Sequence, residues 1–101
     1  MMNMKEIKKA FLVGRYEISD HAIERLEKRG YMEADVKSCI LSGEIRERQT
    51  YFHKPAVLIT GEDLDGLPIV TVVGVHVKKA DHFNVITVMP PIDKERFDRV
   101  I

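Results

Sequence analysis

The chain has 101 residues, 45% of them hydrophobic and 32% charged, and its formal net charge is zero. That composition suits one soluble domain with a single core and no need of disulfide or metal staples, and it excludes a disordered tail. Neutrality argues against tight nonspecific binding of long nucleic acid. Residues 1–54 carry eleven Lys/Arg against nine Asp/Glu and residues 55–101 five against seven, so a nucleic-acid site is expected to be a small local patch.

The longest early apolar run, Ala10-Phe11-Leu12-Val13, is too short for a signal-peptide core or a membrane span. Cys39, the one cysteine, has no partner for an internal disulfide. Both features point to the reducing cytoplasm.

In chain order, Met4, Ile7, Phe11 and Leu12 recur at helical spacing, with Lys5, Lys8 and Lys9 facing away, and Gly14 ends this first helix. Arg15 to Ile18 reads as an extended lead into a second helix, Ser19 to Gly30, marked at both ends. Ser19 or Asp20 caps its start and Gly30 closes its end in a left-handed conformation. Ala22, Ile23 and Leu26 fall on one side of it, and His21, Arg25, Lys28 and Arg29 on the other. A third helix runs from about Glu33 to Leu41, with Val36, Cys39 and Ile40 on its inner face and Gly43 as its stop. On that face Cys39 reads as a small buried hydrophobe rather than a nucleophile.

From Glu44 the period becomes strand-like. Glu44 to Thr50 reads as an edge strand, Ala56 to Thr60 as a compact apolar one, and Gly61 to Gly66 as a turn. Ile69 to Val75 is expected to be central, with Pro68 tolerated at its entrance, and Phe83 to Met89 its antiparallel neighbour after a turn at Lys78 to Asp81. Asp93 to Val100 is expected to add a helical turn or two. Short connections imply an antiparallel meander. The fold class expected is α+β over residues 1–101 as one domain, with N-terminal helices on one face of an antiparallel sheet of about four strands.

The arrangement Ser19-Asp20-His21-Ala22, Arg25, Arg29-Gly30, with Asp35-Val36 and the Leu41-Ser42-Gly43 helix end, resembles the family called domain of unknown function 4258. Gly66-Leu67-Pro68-Ile69 and Val85-Ile86-Thr87-Val88 extend the likeness over roughly residues 16–90. The resemblance implies a small prokaryotic protein related to toxins of toxin–antitoxin modules, with a fold similar to the RelE-like ribonucleases. It also implies RNA as substrate and a small antitoxin encoded nearby as protein partner, with no cofactor. Two positions depart from the family pattern. Val70 stands where many relatives carry a strand histidine, and Tyr31-Met32 where a polar or acidic cap usually follows the Arg-Gly.

His21 sits in the first turn of its helix, where partial positive charge keeps an imidazole neutral and able to take a proton from a ribose 2′-hydroxyl. Arg25 and Arg29 follow at four-residue spacing, and two guanidinium groups can clamp a phosphate. Thr87 is a candidate for positioning the substrate. Arg46 and Arg48, taken to share one side of their strand, form with Tyr51 a candidate lip for RNA, with Phe52, His53 and Lys54 following in a loop. His76 and His82 can approach across the last hairpin but lack the ligand set of a metal site; His76 is a reserve acid. These readings make the chain a metal-independent endoribonuclease with His21, Arg25, Arg29 and Thr87 at its centre. The alternative is a non-catalytic protein-binding module on the same fold, which neutrality and Val70 favour.

Overall fold

A computed structural model describes residues 2–91. The expected helical turn at Asp93 to Val100 lies outside the described residues. The elements are α1 (Met4–Leu12), β1 (Tyr16–Ile18), α2 (Asp20–Arg29), α3 (Glu33–Ser42), β2 (Glu44–Tyr51), β3 (Lys54–Glu62), β4 (Pro68–Val75) and β5 (Phe83–Met89). The class is α+β, as the periodicity predicts.

The sheet runs β1-β5-β4-β3-β2, with β4 at its centre and β5 as its antiparallel neighbour. It has five strands rather than four, and it is mixed: β1 pairs with β5 in parallel, Tyr16 opposite Phe83 and Ile18 opposite Val85. Three residues are too few to show alternation in a sequence. The parallel direction follows from everything between them, α2 to β4, acting as one long crossover.

Helical end signals behave as their chemistry dictates. The Asn3 side chain accepts from Glu6 N–H to start α1, and the Ser19 Oγ accepts from Ala22 N–H to start α2. Gly30 takes φ 72° at the end of α2, a conformation that costs glycine nothing. The main core lies between helices and sheet. Ile7, Ala10 and Phe11 of α1, Ala22 and Leu26 of α2, and Val36, Cys39 and Ile40 of α3 meet Val57, Ile59, Ile69, Val73, Val85 and Val88. Leu12 and Ile23, expected in the core, are instead largely exposed at 64% and 41%, and Ala10 takes the place assigned to Leu12.

A second apolar cluster occupies the opposite face of the sheet: Ala56, Leu58, Val70, Val72 and Ile86, with Met89 against it. This explains why β3 and β4 read as unbroken apolar runs. Strands buried on both faces lose the in–out alternation.

The last turns of α3 come close to the β3 backbone at Gly61. A Cβ at Gly61 or at Gly43 would overlap the Cys39 carbonyl. Cys39 itself is fully buried, its thiol directed at the Ile69 carbonyl at 3.5 Å, and burial pushes its pKa up to about 11. That environment suits a structural hydrophobe. Gly61→Ala is expected to force α3 off the sheet and cost at least about 1–3 kcal/mol through overpacking. Chemical denaturation of the variant beside the native chain measures it.

Candidate functional site

The Ser19–Gly30 stretch was the first candidate, and the fold uses most of it. β1 stops at Ile18, so the remainder of β5 has no strand on that side. α2 fills the gap. The Ser19 hydroxyl donates to the Ile86 carbonyl at 3.3 Å, and the Arg29 guanidinium donates to the Val88 carbonyl at 2.5 Å. Ala22 and Leu26 point into the core. Ser19, Ala22, Leu26, Arg29 and Gly30 therefore have structural employment. His21 and Arg25 do not. Arg25 Nε reaches His21 Nε2 at 3.5 Å, one turn apart on the outer face.

Thr87 does not join them. Val72 pairs with Thr87 and Val73 with Val85, which leaves Ile86 as an extra residue, a β-bulge. The bulge turns Thr87 to the same face as Val72, away from the face that α2 covers. Periodicity alone cannot reveal such a shift.

The predicted lip also divides. A register shift between Ile45 and Glu47 separates the two arginines. Arg48 turns toward α1 and donates to the Met2 carbonyl at 2.9 Å. Arg46 pairs with Glu44 at 3.1 Å and lines a groove with Thr60, Glu62 and Pro68. Tyr51 stands at the far end of β2, roughly 16 Å along the strand from Arg46 at about 3.3 Å per residue.

At that far end the fold gathers a set that sequence spacing hides. The β2–β3 turn, the β4–β5 loop and the α1–β1 connection all lie at that end, and a cleft of about 460 Å³ opens between α1, the α1–β1 connection and the β4–β5 loop. Lys9, Arg15, Lys79, His76 and His82 line it, with Glu6 and Asp81. The Arg15 Nε is buried and has no hydrogen-bond partner among the described residues. A charged donor in that state is costly unless an acceptor comes to it.

The two histidines are fixed differently. His76 Nδ1 accepts from the backbone N–H of Lys78 (3.1 Å) and of Lys79 (3.0 Å), so its proton sits on Nε2, which donates to Glu17 at 3.0 Å. Both its nitrogens are spent on holding the loop, and its side chain is only 11% exposed. His82 Nδ1 lies 3.0 Å from the Ala80 carbonyl, which can only accept. A proton is therefore on Nδ1, so in the neutral ring the lone pair is on Nε2. The rings lie 6.2 Å apart. Among the described residues no group of three or more His, Cys, Asp or Glu is placed to hold a metal.

Glu17 anchors the loop from β1. It accepts from Lys79 Nζ at 2.7 Å and from His76, and these two hydrogen bonds, that of Lys79 first, hold its carboxyl below the usual range. A depressed carboxyl contributes stability above its unfolded pKa and loses it as pH falls through the folded value. Thermal melts in buffers stepped down from about pH 4.5 are expected to show the native chain losing this contribution, and Glu17→Gln showing a flatter acid limb. On α2, Arg29→Ala is expected to cost about 1–3 kcal/mol by orphaning the Val88 carbonyl. His21→Ala is expected to leave the melting temperature unchanged, and paired melts of the two variants check both.

No curated protein and no solved structure matches the chain. A family model does match, over residues 18–90. That span runs from the end of β1 through the whole sheet and takes in α2 with its Ser19–Gly30 pattern. The chain belongs to the family described as Domain of unknown function (DUF4258).

Proposed function

We propose that this protein is a toxin-type endoribonuclease, related to RelE-like toxins, that takes RNA at the loop-end cleft rather than on the outer face of α2. The observation that carries the reading is the Arg15 side chain, which lines the same cleft as Lys79 and the fixed His82 and whose buried Nε has no partner among the described residues. Guanidinium and ammonium groups at a cleft wall suit the non-bridging oxygens of a phosphodiester.

The chemistry follows from those groups. His82 Nε2 takes the proton of a ribose 2′-hydroxyl, and the 2′-oxygen attacks the adjacent phosphorus. Arg15 and Lys79 offset the charge that builds on the phosphoryl oxygens. The bond to the 5′-oxygen breaks, and water supplies its proton. The products are a 2′,3′-cyclic phosphate and a 5′-hydroxyl, and this route requires no cofactor. Placing the base on the β4–β5 loop also removes the need for a histidine at Val70.

A second reading, the protein-binding module, is favoured by a different feature. A groove of about 650 Å³ runs beside β1, lined by Tyr16, Ile18, Ile23, Leu26 and Tyr31 with Glu27 and Glu33 at its rim. Among the described residues no strand pairs with the outer edge of β1. A partner strand could add there, and a small antitoxin would dock at this edge under either reading.

The test is cleavage of short single-stranded RNAs with chelator present, with product ends assigned by mass. Native protein is expected to yield cyclic-phosphate ends. His82→Ala is expected to lose about 10²–10⁴-fold in rate with an unchanged melt and RNA affinity. Arg15→Ala is expected to weaken binding and flatten its salt dependence. Absence of both binding and cleavage would leave the module reading in its place.

A further inference from the structure

The β2–β3 turn is built against the preference of its backbone. Phe52 and His53 connect Tyr51 to Lys54 with φ 49° and 62°. Both values lie in the left-handed region, where a two-residue hairpin turn favours Asn-Gly. A phenylalanine there is strained, and strain is normally repaid by burial. Here it is not. Phe52 is 80% exposed and Tyr51 47%, and their rings meet edge to face at 4.6 Å.

The surroundings add a shape and a charge. A groove of about 130 Å³, of the order of one planar base, is lined by Tyr51, Phe52, Lys54, Pro55, Val77 and Ile86. Gly74 keeps its floor low, since a Cβ there would press on the Ile86 side chain at 2.8 Å. Val75 lines both this groove and the cationic cleft, so the two adjoin across the end of the sheet. Lys54 and His53 sit at the turn, and Lys78 and Lys79 on the neighbouring loop.

We propose that the Phe52–His53 turn is a stacking platform for an unpaired base of single-stranded RNA whose backbone lies in the adjoining cleft. This inference rests on the RNA reading above and narrows its substrate to single strands. An aromatic face displayed beside cations suits a base and its phosphate. A duplex has no base to offer the groove, because its bases are stacked on each other.

The chain has no tryptophan, so Phe52→Trp makes the turn its own reporter. Its emission is expected to be quenched by a single-stranded oligoribonucleotide and not by a duplex of the same sequence, with affinity kept near that of the native chain. Phe52→Ala is expected to weaken single-strand binding roughly five- to a hundredfold. Replacing Phe52-His53 by Asn-Gly is expected to raise the melting temperature, by relieving the turn, and to weaken binding as much.

If Phe52→Ala and the Asn-Gly variant bind as the native chain does, while Arg15→Ala does not, the platform is refuted and the RNA reading stands. Equal binding of duplex and single strand by the native chain also refutes it. If the native chain binds neither, the RNA reading itself falls. An unchanged melting temperature in the Asn-Gly variant would remove the strain argument.

Discussion

Beyond Val85, β5 has no neighbouring strand on its β1 side among the described residues, because β1 ends at Ile18. A sheet edge that is buried under a helix must still satisfy its carbonyls. The chain meets this with side chains instead of a sixth strand. Ser19 closes α2 onto the Ile86 carbonyl and Arg29 closes it onto that of Val88, so the helix is fastened near both ends. With α2 fixed, β1 is held beside β5, Glu17 is presented to the loop, and the Arg15 carbonyl accepts from the Phe83 N–H at 3.1 Å. The placement of Arg15 at the cleft depends on this clamp.

The clamp changes the meaning of a motif. Basic residues four apart on a helix invite a phosphate, yet one of the two arginines serves the sheet edge. Arg48 repeats the lesson on β2, where its guanidinium ties the Met2 carbonyl and with it the start of α1. In both places a planar multi-donor head reaches a backbone carbonyl oxygen. Arg15 is the contrast. Its Nε is buried to the same end but meets no acceptor, which is why it, and not Arg29, supports the proposed site.

Much of the fold was legible because its signals are local. The Ser19 cap, the Gly30 stop and the apolar stripes of α1 and α3 act within one or two helical turns, and β4 declares itself by a run of β-branched residues. What the sequence hides is long-range or off-period. The bulges at Arg46 and Ile86 reverse the facing of Arg46 against Arg48 and of Thr87 against the helices, and a bulge leaves no mark in composition. β1 is too short to show a period, and its parallel pairing joins residues about seventy apart. The loop-end cleft draws on α1, the α1–β1 connection, the end of β4, the β4–β5 loop and the start of β5, so no spacing could assemble it. A sequence signal did exist: three of the four histidines fall at hairpin turns, at 53, 76 and 82.

Net charge misleads here for a related reason. The halves of the sequence differ little, but the antiparallel meander sorts charge by the end of the sheet. Glu62, Asp63 and Asp65 lie at the β3–β4 turn, whereas Lys54, Lys78 and Lys79 lie at the two turns of the opposite end. An eight-residue strand such as β4 separates those ends by about 26 Å at roughly 3.3 Å per residue. The screening length at physiological salt is about 8 Å. Acidic groups three screening lengths away do little to cancel the field at the cationic end. A polyanion long enough to cover the whole molecule would meet both ends and gain little, whereas a short single strand confined to the cationic end would meet Lys9, Arg15, Lys54, Lys78 and Lys79 against Glu6, Glu17 and Asp81. Overall neutrality is therefore compatible with a local anion site, and it selects for a small ligand over a long one.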